Sequence, residues 1–130
     1  MSIRTIITQD QTGLELVQFA ERTAERLVKE GLTRSQIRNI FTEVRKIEAL
    51  WEIDQNKALR RLVMLKPKLY YQAARQRHVQ GLQDVLSEAI DYVAEAEDTK
   101  EKKERTMRFQ RFMELFEAIL AYHRSKGGRN

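Results

Sequence analysis

The chain contains no cysteine. That excludes a disulfide framework, a thiolate zinc site and a cysteine nucleophile, and it fits a reducing compartment. Only one proline and five glycines occur in 130 residues. No hairpin dipeptide stands between two alternating apolar runs, so strands have little support. Long apolar stretches are missing too. The longest, such as 118–122, covers five residues, whereas a membrane-spanning helix needs roughly 20. The N-terminus lacks the basic, apolar, small-residue order of a secretion signal. These absences predict a cytoplasmic chain with no membrane partner.

The parts of an active site are absent as well. The two histidines, His78 and His123, are far apart in sequence, and neither has a partner at metal-ligand spacing. There is no phosphate-cradling glycine loop and no Gly-x-Ser-x-Gly elbow. The acidic residues Asp84, Glu88, Asp91 and Glu95 recur at helical spacing, but without companion ligands they read as a solvated or docking face. The chain is therefore expected to be no enzyme and to need no metal or cofactor.

What remains is rich in helix formers, and the apolar residues recur at helical spacing. The prediction is an all-α fold, a compact bundle of five to six helices forming one domain over residues 1–130. Residues 1–10 are expected to be loose or extended and 124–130 to be a disordered basic tail. A first helix begins near Thr12 or Gly13 and stops at Glu30, with Gly31 suited to the left-handed position beyond its end. A second starts at a capping box, Thr33 with Gln36, and a hydrophobic staple, Leu32 with Ile37. Its stripe runs Ile37, Ile40, Phe41, Val44, Ile47 and Trp51. A third helix is expected over 55–65. Pro67 cannot continue it without strain and suits the first turn of a fourth helix over 67–78. Gly81 marks a break. The fifth helix carries Leu82, Val85, Leu86, Ala89, Ile90 and Val93 on one face. Residues 97–105 form a solvated helix or a flexible link. The sixth helix carries Phe109, Phe112, Met113, Phe116, Ile119, Leu120 and His123.

One third of the residues are charged, with a net charge of +5, and the charge is laid down in blocks. Residues 1–30 carry four basic and five acidic groups, and residues 31–81 carry eleven and four. Residues 82–98 carry none and six, and residues 99–130 nine and four. Such blocks either attract phosphate with the acidic segment held away from it, or pair with one another within or between copies. On the second helix Arg34, Arg38 and Arg45 fall within about 40° of one another at 100° per residue. On the fourth, Lys68, Gln72 and Arg75 share a side, with Tyr71 adjacent. Lys66 would stand at that helix's N-terminus, where free N–H groups favour an anion. Arginine forks grip phosphate and tyrosine stacks on bases, so this pattern suits sequence-independent RNA binding. A solubilising or partner-docking face, with Tyr70 and Tyr71 packed inward, is the other reading.

Two segments go further. Residues 32–38, Leu-Thr-Arg-Ser-Gln-Ile-Arg, lead into a helix ending in Ile47-Glu48. Residues 65–69, Leu-Lys-Pro-Lys-Leu, are followed by Tyr71 and Arg75. In this order and spacing, with the run from Gly81 to Ile90 after them, they resemble the small-subunit family of type III-A CRISPR (Csm) complexes over roughly residues 10–123. The resemblance implies a non-catalytic helical subunit acting in antiviral defence. It implies guide RNA, target RNA, other Csm subunits and further copies of itself as partners, with phosphate contacts that do not read sequence. Carried onto this chain, the implied RNA-binding residues are Arg34, Arg38, Arg45 and Lys46, then Lys66, Lys68, Arg75 and Arg77, with Tyr71 for stacking. The small subunit of a type III-B (Cmr) complex is one alternative. A dimeric helical scaffold that binds no nucleic acid is another.

Overall fold

The computed structural model describes residues 2–130. Six α-helices follow in order: α1 (Ile3–Thr8), α2 (Leu14–Lys29), α3 (Arg34–Trp51), α4 (Gln55–Arg75), α5 (Gln80–Ala94) and α6 (Glu104–Ser125). A single 3-10 turn, Arg77–Val79, joins α4 to α5. Among the described residues there is no β-strand, only one isolated bridge between Asp98 and Lys103. The fold is the all-α bundle that composition and periodicity predict. One hydrophobic cluster, built from every helix, runs through it.

Segment 1–10 departs from expectation. Ile3, Ile6 and Ile7 are buried on one face of α1. Ser2 caps the helix, its hydroxyl accepting from the Thr5 N–H at 3.1 Å. Three β-branched residues favour a strand locally, but their three-and-four spacing suits a helix, and burial against α5 and α6 decides between them. The α2–α3 connection follows the sequence closely. Gly31 takes φ 94°. Its N–H bonds the Val28 carbonyl and that of Leu32 bonds the Leu27 carbonyl, both at 3.1 Å, which is the Schellman arrangement. Thr33 and Gln36 then form the full capping box, and Leu32 and Ile37 are both buried.

Three further expectations are corrected. First, α4 is continuous through Pro67. Leu62, Leu65 and Leu69 lie on either side of the proline and are all buried, so the core holds both halves in line. Pro67 itself is on the exposed side, as is Val63, whose carbonyl loses its N–H partner and can turn to water. Secondly, Gly81 is not a break but the second residue of α5. A Cβ there would come within 2.8 Å of Leu27 Cδ2 and 2.7 Å of Glu30 Oε1, so glycine lets α5 approach α2. Thirdly, the residues before α6 are pinned rather than flexible. Asp98 accepts from the Thr106 N–H at 3.0 Å, the Thr106 hydroxyl, and Gln55 Nε2 at 2.9 Å. Trp51 Nε1 donates to the same hydroxyl at 3.1 Å, so one carboxylate ties α3, α4 and α6 together.

The tail also differs from its expected disorder. Residues 124 and 125 complete α6. Gly127, at φ 92°, turns the chain back. Lys126 pairs with Glu21 at 3.0 Å and Glu25 at 3.4 Å. The Gly128 N–H bonds the His123 carbonyl at 2.9 Å, and the Arg129 carbonyl accepts from the Arg34 N–H.

Burial pushes the Asp98 carboxyl up, but the bonds from Thr106, Gln55 and the Arg105 backbone outweigh it and hold the group below its ordinary value. Its stabilisation is therefore present above the unfolded carboxylate range and is lost as pH falls through the lowered native value. Urea midpoints should show wild type more stable than Asp98→Asn near neutrality, with the gap closing in acid. Pro67→Ala restores a helical hydrogen bond and should raise stability by about 1–3 kcal/mol, read as an increase in the thermal midpoint.

Candidate nucleic-acid interface

The basic residues are arranged by α3 and α4, which pack side by side, with α3 also lying against α6. From Gln55 to Gln83 the sequence holds seven Lys or Arg and no Asp or Glu. Because α4 runs unbroken, these cations fall into register. At 100° per residue Lys57, Met64, Lys68, Tyr71 and Arg75 lie within about 60° of one another, and the row from Lys57 to Arg75 is about 27 Å long. Arg60 and Arg61 flank it. Leu62, Leu65, Leu69 and Ala73 occupy the opposite, buried side.

Lys68, Tyr71 and Arg75 line an open groove of about 650 Å³ with Met64, Pro67, Gln72 and Gln76. Tyr71 is 63% exposed and Tyr70 55%, so neither is packed inward. The Arg75 guanidinium stands 5.6 Å from the Tyr71 ring centre, and its Nη1 donates to the tyrosine hydroxyl at 3.3 Å. The side chains of Lys57, Arg60, Lys68 and Arg75 form no ion pair with a carboxylate among the described residues. Arg61 is paired with Glu43 of α3 at 3.1 Å.

On α3 the predicted stripe divides. Arg34 and Arg38 border a second groove, between α3 and α6. Arg38 is exposed and carries no ion pair among the described residues. Arg45 lies 5.4 Å from the Phe41 ring centre and pairs with Glu48 at 2.9 Å. Both partners are about half exposed, and such a surface pair holds the arginine only weakly. Lys46 faces Glu43, 3.9 Å away.

The structure takes two predicted residues away from this surface. Lys66 does not stand at a helix N-terminus but inside α4, bonded to Asp91 of α5. Arg77 lies in the 3-10 turn beside Arg26, Glu30 and Asp84, on the side of α2 and α5. His78, next to it, meets Gln36 Nε2 at 2.7 Å, which joins the capping box of α3 to the end of α4. In exchange the structure adds Lys57 and aligns Arg60, which the assumed break at Pro67 had detached from Lys68 and Arg75.

The acidic face of α5 is largely occupied within the molecule. Asp91 holds Lys66, and Glu95 holds Arg108 at 2.9 Å. No group of three His, Cys, Asp or Glu among the described residues could hold a metal ion. No helix there is long and apolar enough to cross a membrane.

A family model described as Csm2 Type III-A matches residues 10–129. No curated protein and no solved structure matches the chain.

The docked tail bears on Arg34. A Cβ at Gly128 would meet the His123 ring at 2.2 Å and the His123 carbonyl oxygen at 2.8 Å. Gly128→Ala should therefore release the tail and unprotect the Arg34 amide, which amide hydrogen exchange would show as faster exchange at Arg34 with little change in the core of α6.

Proposed function

The chain belongs to the Csm2 Type III-A family and is a small subunit of type III-A CRISPR complexes; from that premise we propose that it is a non-catalytic, cytoplasmic RNA-binding subunit. It lies against the guide–target duplex and the target strand and neutralises their phosphates without reading sequence. Its partners are the RNA, other Csm subunits and neighbouring copies of itself.

One observation carries this reading: the acid-free outer face of α4, about 27 Å of aligned cations at 1.5 Å per residue with an exposed tyrosine among them. Long-range attraction needs positive charge that the protein's own carboxylates do not cancel. The side chains of Lys57, Arg60, Lys68 and Arg75 on this face form no ion pair among the described residues. Exposed aromatics beside them give each passing base a surface to stack on, whatever its identity. The RNA-contacting set is therefore Lys57, Arg60, Lys68, Tyr71 and Arg75 of α4, with Arg34, Arg38, Arg45 and Lys46 of α3 beside them. Lys66 is assigned to tethering α4 to α5 instead, and Arg77 stands off this face, in the turn beside α2 and α5.

If one copy neutralises about three phosphates, log affinity should fall against log salt with a slope near −2, at roughly 0.7 per phosphate. A single copy then binds weakly at physiological salt, and adjacent copies supply the rest by acting together. Fluorescence anisotropy with single-stranded RNA at low salt checks this. Lys68→Ala with Arg75→Ala should weaken binding evenly across sequences and flatten the slope by about 1.4. Lys66→Ala should change it far less. Wild type that shows no salt-sensitive binding would leave a protein scaffold as the better account.

A further inference from the structure

The groove between α3 and α6 is built differently from the α4 face. It encloses about 280 Å³, several times the roughly 30 Å³ of a water molecule. Ile37, Phe41, Leu120 and Ala121 supply apolar walls, and Arg34, Arg38, Glu117 and Arg124 border it. Phe41 is held from behind by Phe116, edge to face at 5.1 Å, so this wall is rigid. His123 braces the base: its Nε2 meets the Leu32 carbonyl at 2.7 Å, and Gly128 closes over the other side of the ring. At Ala121 the side chain is a single methyl, and this leaves the space open.

The Arg34, Arg38 and Arg124 side chains bring guanidinium donors to the groove, and Glu117 brings an acceptor. Apolar walls would be wasted on a free anion, and the Glu117 carboxylate would repel one. A purely apolar guest would leave the arginines unanswered. A flat heterocycle with acceptors and N–H donors on its edge, joined to phosphate, answers all of these at once.

We propose that this groove seats one unstacked nucleobase of the bound RNA, with the neighbouring phosphates on Arg38 and Arg124. The inference rests on the RNA-binding reading above and adds a base-holding site to it. The Arg34 side chain donates to a ring nitrogen or carbonyl of the base, and Glu117 is placed to accept from a base N–H. Which base enters is weakly selected, since most of the fit comes from apolar contact.

The test compares a short oligouridylate with an abasic strand of equal length and charge, by anisotropy on the full chain. Tyr71→Ala serves as background, to remove stacking on α4. This protein should bind the base-bearing strand about tenfold tighter than the abasic one. Adding Ala121→Phe, a filling change at an exposed position of α6, should erase that difference. A strand carrying 4-thiouridine should also cross-link to peptides containing Phe41 or Leu120. A preference that survives Ala121→Phe, or cross-links confined to α4, would overturn the proposal. Equal binding of both strands sinks the pocket alone. Failure to bind either strand sinks the RNA reading and the pocket with it.

Discussion

The arrangement depends first on an aromatic column that fixes α3 against α6. Trp51 stacks on Phe109 with ring centres 4.1 Å apart and planes 3° from parallel. Phe109, Phe112 and Phe116 continue the column along α6, and Phe41 meets Phe116 edge on. Each such contact contributes about 0.5–1.5 kcal/mol beyond the burial of its rings. The pairings run in opposite directions along the two helices, from Trp51 with Phe109 to the Leu32 carbonyl with His123. They define an antiparallel pair and set the rotation of α3 about its axis. That rotation turns Ile37, Ile40, Val44 and Ile47 inward. It leaves Arg38 and Arg45 on the outer shoulder and presents the other flank of α3 to α4.

Charge is then sorted by what each helix must cover. The carboxylates of α2 and α5 are drawn into local pairs, Glu21 and Glu25 with Lys126 and Asp91 with Lys66. Glu104 and Glu95 together hold Arg108. The outer side of α4 receives no such partner apart from Glu43, shared between Arg61 and Lys46. Pairing within the molecule thus occurs, and on the surface proposed for RNA it reaches Arg45, Lys46 and Arg61 but leaves Lys57, Arg60, Lys68 and Arg75 without an ion pair among the described residues. The fold separates cations that tether helices from cations that face solvent, a distinction that net charge does not reveal.

Much of the fold was legible in the sequence because its signals were local. The capping box at Thr33, the glycine turn at Gly31 and the stripes of α3, α5 and α6 appear as read. The misreadings share one cause, a local rule overruled by distant packing. Pro67 ends a helix on local grounds, yet the buried leucines around it carry α4 through. Gly81 resembles a breaker, yet its role is set by Leu27 and Glu30, some fifty residues earlier in the chain. Asp98 looks solvated until Thr106 and Gln55 converge on it. At the site, residue types were readable but their grouping was not. Correcting the single break at Pro67 aligns Lys57 and Arg60 with Lys68 and Arg75, and removes Lys66 from the N-terminal position first assigned to it. The α3/α6 groove could not have been seen in advance, since its walls come from residues about 80 positions apart.

Backbone amide chemical shifts, followed while single-stranded RNA is titrated into the full chain at low salt, test the central claim most directly. The account predicts shifts concentrated between Lys57 and Arg75 and along the outer side of α3, fading together as salt is raised. Shifts confined to α1, α2 and α5, or none at any salt, would contradict it.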